Sequence, residues 1–357
     1  MGRRIVILFC TVCLLFTGCA GWMSGSYSSE KPHQVDRQWQ TQDAIPVTGY
    51  TQLIEILSGI VEDGVETATL SVSMMRQETL PDRMEDAIAY TMAYNPVAGY
   101  AVREITFELG RRGGYDIAVV KVEYNSNRMN LYNLKRVRGV ETANQVIKDA
   151  LDTCAAGVVL LVDDYSPMDY VAIVQRYAQE NPNLIMEVPK VTAKEFPESG
   201  SKRLVEIAFG YQTARQSLQD MQAYVEPIFQ ASALFVGGAL QDRVKYAQLY
   251  SLLISRNPYV IETSITPAYS LLRHGVGDSK AFATVYAAMC REAGLECRVV
   301  SGTRRGEPWF WNIINEDGVY RHLDLVQCCR AGEYQIKTDA QMAGYVWDYS
   351  AHPKCAT

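Results

Sequence analysis

Two stretches of this chain repeat one another at a nearly constant distance, and no other feature limits the fold so strongly. Ala118, Val120, Val122 and Tyr124 alternate as in a half-buried strand, and Val205, Ile207, Phe209 and Tyr211 do so 87 residues later. Arg128 follows Tyr124 as Arg215 follows Tyr211. Each pair of strand-like runs (101–109 with 115–124, 184–196 with 202–211) comes after a helical stretch closed by Asn-Pro. Met84, Ala87, Ile88 and Thr91 mark the first helix, which stops at Asn95-Pro96. Tyr170, Ile173, Val174 and Tyr177 mark the second, which stops at Asn181-Pro182. β-rich runs precede both helices, at 69–74 and 157–162, and further helical segments are expected over 126–140 and up to about residue 225. The period exceeds the roughly 20–50 residues of solenoid repeats. The pattern predicts an α+β region over 45–228, built of two duplicated β-α-β-β-α units at about 65–140 and 151–226. Gly110, Gly113 and Gly114 fall between two strands and read as a hairpin turn rather than a phosphate loop.

At 357 residues the chain has room for further domains. Residues 1–18 stand apart from any fold. Arg3 and Arg4 precede a mostly apolar run at 5–16, too short to span a bilayer and suited to a signal-peptide core. Thr17-Gly18 before Cys19 resembles the cleavage site of a bacterial lipoprotein. The expected mature chain begins at an acylated Cys19, and two or more acyl chains hold a protein stably on a lipid bilayer. Residues 19–44 are rich in Ser and Gln and lack apolar periodicity. They read as a flexible tether with a reach of about 25–30 Å. No later run approaches the ~18 apolar residues of a membrane span, so the folded part is expected to be extracytoplasmic, on the membrane to which Cys19 anchors it.

The formal net charge is −6, and removal of Arg3 and Arg4 lowers it by two, to about −8. Such a chain has no long-range attraction for nucleic acid. Lys135, Arg136 and Arg138 read as a solvated helix face. Beyond Cys19 the mature chain has Cys154, Cys290, Cys297, Cys328, Cys329 and Cys355. An exported protein can hold disulfides. Cys290 and Cys297 fall at apolar positions of a helix and a strand and read as buried free thiols, whereas Cys355 is near enough the end to reach Cys328 or Cys329. Connectivity stays open at this level. With no C-x-x-C or H-x-x-x-H spacing in the mature chain, no metal is expected, and no cofactor.

From about 239 to 345 the pattern changes. Tyr246, Leu249, Tyr250 and Leu253 define one helix face, which ends before Asn257-Pro258. Gly275-Val276-Gly277-Asp278-Ser279 leads into a long helix through Tyr286 and Cys290, closed by Gly294. A strand at 295–301 and a hairpin of 310–314 with 319–325, turning at Asp317-Gly318, follow. Residues 346–357 read as a tail.

Five pieces in order carry a resemblance over about 240–326. They are Gly277-Asp278-Ser279-Lys280, Arg291 to Cys297, Val299-Val300-Ser301-Gly302, Trp311-Asn312 and His322-Leu323-Asp324. Together they resemble the active-site frame of the transglutaminase-like (papain-like) superfamily. The resemblance implies a helix followed by antiparallel strands, with a nucleophilic Cys at the helix start, a His opening an H-x-W-N strand and an Asp on the next strand. Here those positions hold Ser279, Trp309 and Asp324. A Cys there works because the helix dipole and a nearby His lower its pKa, while the Asp orients the His. A serine hydroxyl is far less acidic and needs a base, and an indole offers only an N–H donor. No catalytic residue is therefore expected.

The leading expectation is a non-catalytic envelope protein. It would bind peptide, cell-wall material or a protein partner in a groove lined by Ser279, Trp309, Trp311 and Asp324. A second is a serine-dependent amide hydrolase or acyl transferase in which Ser279 borrows a displaced base. That base would be His322, on the same strand face as Asp324, or His274 in the approach loop. A third is a structural domain whose cleft Trp309 fills.

Overall fold

The computed structural model describes residues 44–237, 241–254 and 258–356. The leader, Cys19 and nearly all of the tether lie outside the described residues, as does residue 239, the expected start of the C-terminal domain. Among the described residues no helix is long and apolar enough to cross a membrane.

Three sheets organise the chain. The first unit contains β1 (Ile45–Pro46), α1 (Tyr50–Glu62), β2 (Thr67–Ser71), α2 (Leu80–Tyr94), α3 (Pro96–Ala101), β3 (Val102–Arg112) and β4 (Tyr115–Tyr124). Its strand order is β1-β2-β4-β3. α1 forms because Leu53, Ile56, Leu57 and Ile60 recur at helical spacing and are all buried. Asn95 both ends α2 and starts α3, its side chain accepting the N–H groups of Val97 and Ala98. The β3–β4 hairpin turns at Gly113 and Gly114, with φ of +59° and +84°.

A short helix α4 (Arg128–Leu131) leads to the second unit: β5 (Lys135–Arg138), α5 (Gly139–Asp152), β6 (Gly157–Asp163), α6 (Tyr170–Glu180), β7 (Lys190–Phe196) and β8 (Arg203–Gly210). Its strand order is β5-β6-β8-β7. β1 lies parallel to β2 and β5 parallel to β6, and every other pair is antiparallel. The two units thus share one topology, and residues matched by the 87-residue offset pair alike. Ala118 lies opposite Leu70, and Val205 opposite Leu160.

Several expectations are corrected here. The expected β-α-β-β order is present in both units, at β2-α2-β3-β4 and β6-α6-β7-β8, but a further strand and helix precede it (β1-α1 and β5-α5), giving β-α-β-α-β-β over 45–124 and 135–210. The helix expected over 126–140 is only α4. Lys135-Arg136-Val137-Arg138 instead pairs with β6, and Gly139, at φ +71°, turns the path into α5 as its first residue. Arg136 and Arg138 are exposed as expected but lie on a strand, bonded to Glu62 at 2.9 Å and Asp164 at 2.7 Å. The strand expected from 184 starts only at Lys190, since the N–H groups of Leu184 and Ile185 close a turn onto the Asn181 carbonyl and Pro189 cannot donate to a ladder.

β-alternation splits the second sheet between two cores. Leu161 and Leu204 join the core of the first unit, whereas Leu160, Val162, Val205 and Ile207 face α5 and α6. Tyr100 adds a hydrogen bond across the junction, its hydroxyl donating to Glu206 at 2.8 Å.

The helix expected to end near 225 runs on as α7 (Arg215–Phe235), through Pro227. Its apolar face continues through Val225, Ile228 and Phe229, and these residues share a core with the C-terminal domain. That domain adds α8 (Asp242–Ile254), the short helix α9 (Pro267–Tyr269), a turn at Ser270–His274, α10 (Ser279–Glu292), β9 (Cys297–Arg304), β10 (Glu307–Glu316), β11 (Val319–Leu323), α11 (Leu325–Ala331), β12 (Ile336–Lys337) and β13 (Tyr345–Trp347). The antiparallel sheet runs β12-β11-β10-β9-β13. Ile314 and Leu323 face α10, while Val300, Trp311 and Ile313 face the opposite side.

That opposite side is closed by residues assigned to a tail. Val346 and Trp347 pair with Thr303 and Gly302, and Cys355 is buried beside Trp311 and Met342. The segment is part of the fold because Trp311 needs a cover. Cys355 consequently packs across the sheet from the core that holds Cys328, so the expected reach between them is not made, and both thiols are free.

Candidate functional site

Ser279 is the first residue of α10, and the preceding Asp278 caps the helix by accepting Ala281 N–H at 2.9 Å. The Ser279 side chain is buried and accepts the N–H of Phe310 at 3.2 Å. It is therefore tied to the strand that carries Trp309.

Trp309 takes the place expected of a base and does the opposite of a base. Its indole Nε1–H donates to Asp324 Oδ2 at 2.8 Å. The Tyr345 hydroxyl donates to the same oxygen at 2.6 Å, and Gln327 N–H donates to Oδ1 at 3.0 Å. Asp324 thus caps α11 and is saturated with donors at 4% exposure. Burial, then the charge of Asp324, pushes the Tyr345 phenol up and keeps it a donor. The guanidinium groups of Arg304 and Arg330 lie 5.5 and 5.9 Å from the centre of the Trp309 ring. Arg304 is held by Tyr345 Oη at 3.1 Å and Gln327 Oε1 at 3.0 Å.

Neither displaced base reaches the serine. His322 Nδ1 accepts Trp311 Nε1–H at 2.9 Å, so the proton sits on Nε2, which faces Asp339 Oδ1 at 2.8 Å. Burial lowers the His322 pKa, partly offset by Asp339, and favours the neutral ring. His274 is exposed at the end of the Ser270–His274 turn, its ring 5.5 Å from that of Tyr269. Among the described residues neither imidazole bonds to Ser279. Cys328 and Cys329 offer no thiolate, because burial pushes them up to about 11 and about 12.

Trp311 does not line the expected groove. Trp311 is 1% exposed and belongs to the core with Tyr345 and Trp347, and Asn312 holds the Ala283 carbonyl of α10 at 2.9 Å. Ser279, Trp309 and Asp324 come together as the resemblance implies, but Trp311 lines no groove. A depression of about 530 Å³ lies elsewhere, bounded by Pro167 to Val171, Val191 and Ala193 of the second unit.

His322, Asp339 and Cys355 bring three potential metal-ligating atoms within 4.8 Å of one another. Trp311 and Asp339 occupy both His322 nitrogens, so the imidazole has no free lone pair to give a cation while that network stands. Sequence reading missed Tyr345 and Arg304 as partners in the site, and no local pattern announces either one.

Comparison with known proteins fits this geometry. Residues 230–348 match the model of the Transglutaminase-like superfamily. The C-terminal third is a transglutaminase-like domain within a mixed α and β chain. No curated protein matches the chain. Among solved structures, one described as a TGase is 10% identical, over 61% of this chain and 63% of that one, at a TM-score of 0.25. A "putative protease" from Parabacteroides distasonis is 8% identical, over 62% of this chain and 35% of that one, at 0.23. A "putative cysteine protease" from Cytophaga hutchinsonii is 11% identical, over 44% and 70%, at 0.25.

Proposed function

We propose that this is a membrane-anchored envelope lipoprotein, held through acylated Cys19, whose transglutaminase-like domain is non-catalytic. The domain serves as a binding module for peptide, cell-wall material or a protein partner. One observation carries the non-catalytic reading: the Trp309 indole donates to Asp324 in the position where a base would have to accept a proton. A serine without a base stays a neutral hydroxyl, and Ser279 spends its oxygen as an acceptor for Phe310 N–H. Because Trp309 holds the base position through its bond to Asp324 and Trp311 is buried on the far side of the sheet, binding uses the outer surface of the domain or the N-terminal units. The lipoprotein part rests on the leader and on Cys19.

Ser279→Ala beside the native protein tests the catalytic half, on a panel of peptides and cell-wall fragments with and without an acceptor amine. We expect no turnover from either. Native turnover that vanishes with Ser279→Ala would overturn the reading. The reverted protein with Ser279→Cys and Trp309→His is the scaffold control. Metabolic labelling with a fatty acid, lost in Cys19→Ala, tests the anchor, and a native chain that stays unlabelled would remove it.

A further inference from the structure

We propose that Cys290 and Cys297 form a disulfide when the protein meets a disulfide oxidant. Cys290 lies near the end of α10, and a helix-ending turn brings the chain straight back past it. Leu295 N–H donates to Cys290 O at 2.8 Å and Gly294 N–H to Arg291 O at 3.0 Å, with Gly294 at φ +71°. β9 therefore starts at Cys297 beside the helix it has just left. Cys297 pairs with the buried Ile314, and cross-strand partners leave the sheet on the same side, here toward α10. Cys297 packs against the cluster that contains Cys290, on the face of β9 that is turned to α10. An S–S bond of about 2.05 Å then needs only the approach of two neighbouring side chains of one cluster. Two other sulfurs are engaged elsewhere. Cys328 lies against the Gln335 backbone at 3.3–3.5 Å, and Cys355 sits on the far side of the sheet.

The order of events follows from burial. Cys290 is fully enclosed and its thiol is held protonated, whereas Cys297 is half-buried. Cys297 attacks a small-molecule disulfide such as oxidised glutathione, giving a mixed disulfide and releasing one thiol. Cys290 loses its proton and attacks the Cys297 sulfur, releasing the second thiol. Two protein thiols are oxidised and one external disulfide is reduced. The product staples α10, which starts at Ser279, to the strand that carries Val300 and Gly302.

The test uses the full-length protein, equilibrated with oxidised glutathione without denaturant, then alkylated in denaturant and digested with trypsin. Cleavage at Lys280, Arg291 and Arg298 places Cys290 in peptide 281–291 and Cys297 in peptide 292–298. The expected result is the two peptides joined, separated by dithiothreitol, and never joined in Cys297→Ser. The oxidised native protein should also melt a few degrees above the reduced one, a gain absent from Cys297→Ser. Recovery of both peptides fully alkylated after oxidation would overturn the proposal, and so would linkage of either cysteine to a different one.

Discussion

Replacing Trp309 with Phe keeps a ring in the core and deletes one N–H. The oxygen it leaves, Asp324 Oδ2, belongs to a carboxylate only 4% exposed, so water cannot readily take over. A hydrogen bond to a charged group contributes about 1.5–3 kcal/mol. Tyr345 still donates to the same oxygen at 2.6 Å and moderates the loss. Weaker stacking of Arg304 and Arg330 on a phenyl ring adds about 0.5 kcal/mol. The expected cost is about 2 kcal/mol, or roughly 4–8 °C in the melting of a cooperative unit of about 150–250 residues. Urea unfolding read by tryptophan fluorescence suits the measurement, because Trp311 and Trp347 remain in this domain as reporters. Tyr345→Phe and the double variant complete a cycle. With both donors gone Oδ2 is buried and unpaired, so the double loss should exceed the sum of the single losses by about 0.5–1 kcal/mol or more. A Trp309→Phe protein within about 0.5 kcal/mol of native, less than one such bond contributes, would refute the assignment of Trp309 as the structural partner of Asp324.

Gly302→Ala should destabilise the C-terminal domain by about 1–3 kcal/mol or more, as overpacking does. Its Cβ would stand 2.2 Å from Val346 O and 2.8 Å from the Trp311 ring, whereas Gly110→Ala meets nothing within 4 Å and should melt close to native. Glu62 receives Lys202 at 2.8 Å and Arg136 at 2.9 Å across the junction of the two N-terminal units. Burial raises its pKa, but the two cations outweigh this and the net shift is downward. Its contribution is therefore present above the ordinary value of 4.5 and is lost as pH falls through the depressed folded value. Urea midpoints from pH 6 downward should converge for native and Glu62→Gln proteins, and a gap that widened in acid would contradict this. Truncation after Trp347 removes Cys355, whose backbone N–H donates to Asp339 Oδ2 at 3.1 Å and whose carbonyl accepts Asp339 N–H at 2.9 Å. Faster amide exchange should then appear in β9 and β10 but not in β2 or β4.

What the sequence made legible was whatever local chemistry announces. Asn95-Pro96 and Asn181-Pro182 stop helices where a cap and a missing N–H require it, and the alternation at 118–124 and 205–211 marks the central strands of both sheets. α1 was within reach too, since Leu53, Ile56, Leu57 and Ile60 carry the helical period. β5 was not, because Lys135-Arg136-Val137-Arg138 has one apolar residue and becomes a strand only through its partner β6. The site divides in the same way. Ser279, Trp309 and Asp324 were found by position, but the bond between the last two spans 15 residues and depends on hairpin register. Tyr345 and Cys355 were unreadable as core because their burial comes from packing on Trp311, a contact set by tertiary structure alone.

The length of α7 has a practical consequence for anyone who cuts this chain. Leu218, Val225, Ile228 and Phe229 lie in one core with Leu271, Phe282 and Tyr286. Arg291 also reaches back to the Glu180 carbonyl of α6. An expression fragment starting at residue 239 would omit a wall of its own interior and expose several large apolar side chains. Such a fragment should aggregate, whereas one starting near 212 would keep that wall. The same helix is the channel by which melting of the C-terminal domain would propagate into the second N-terminal unit, so the two should unfold in a shared transition.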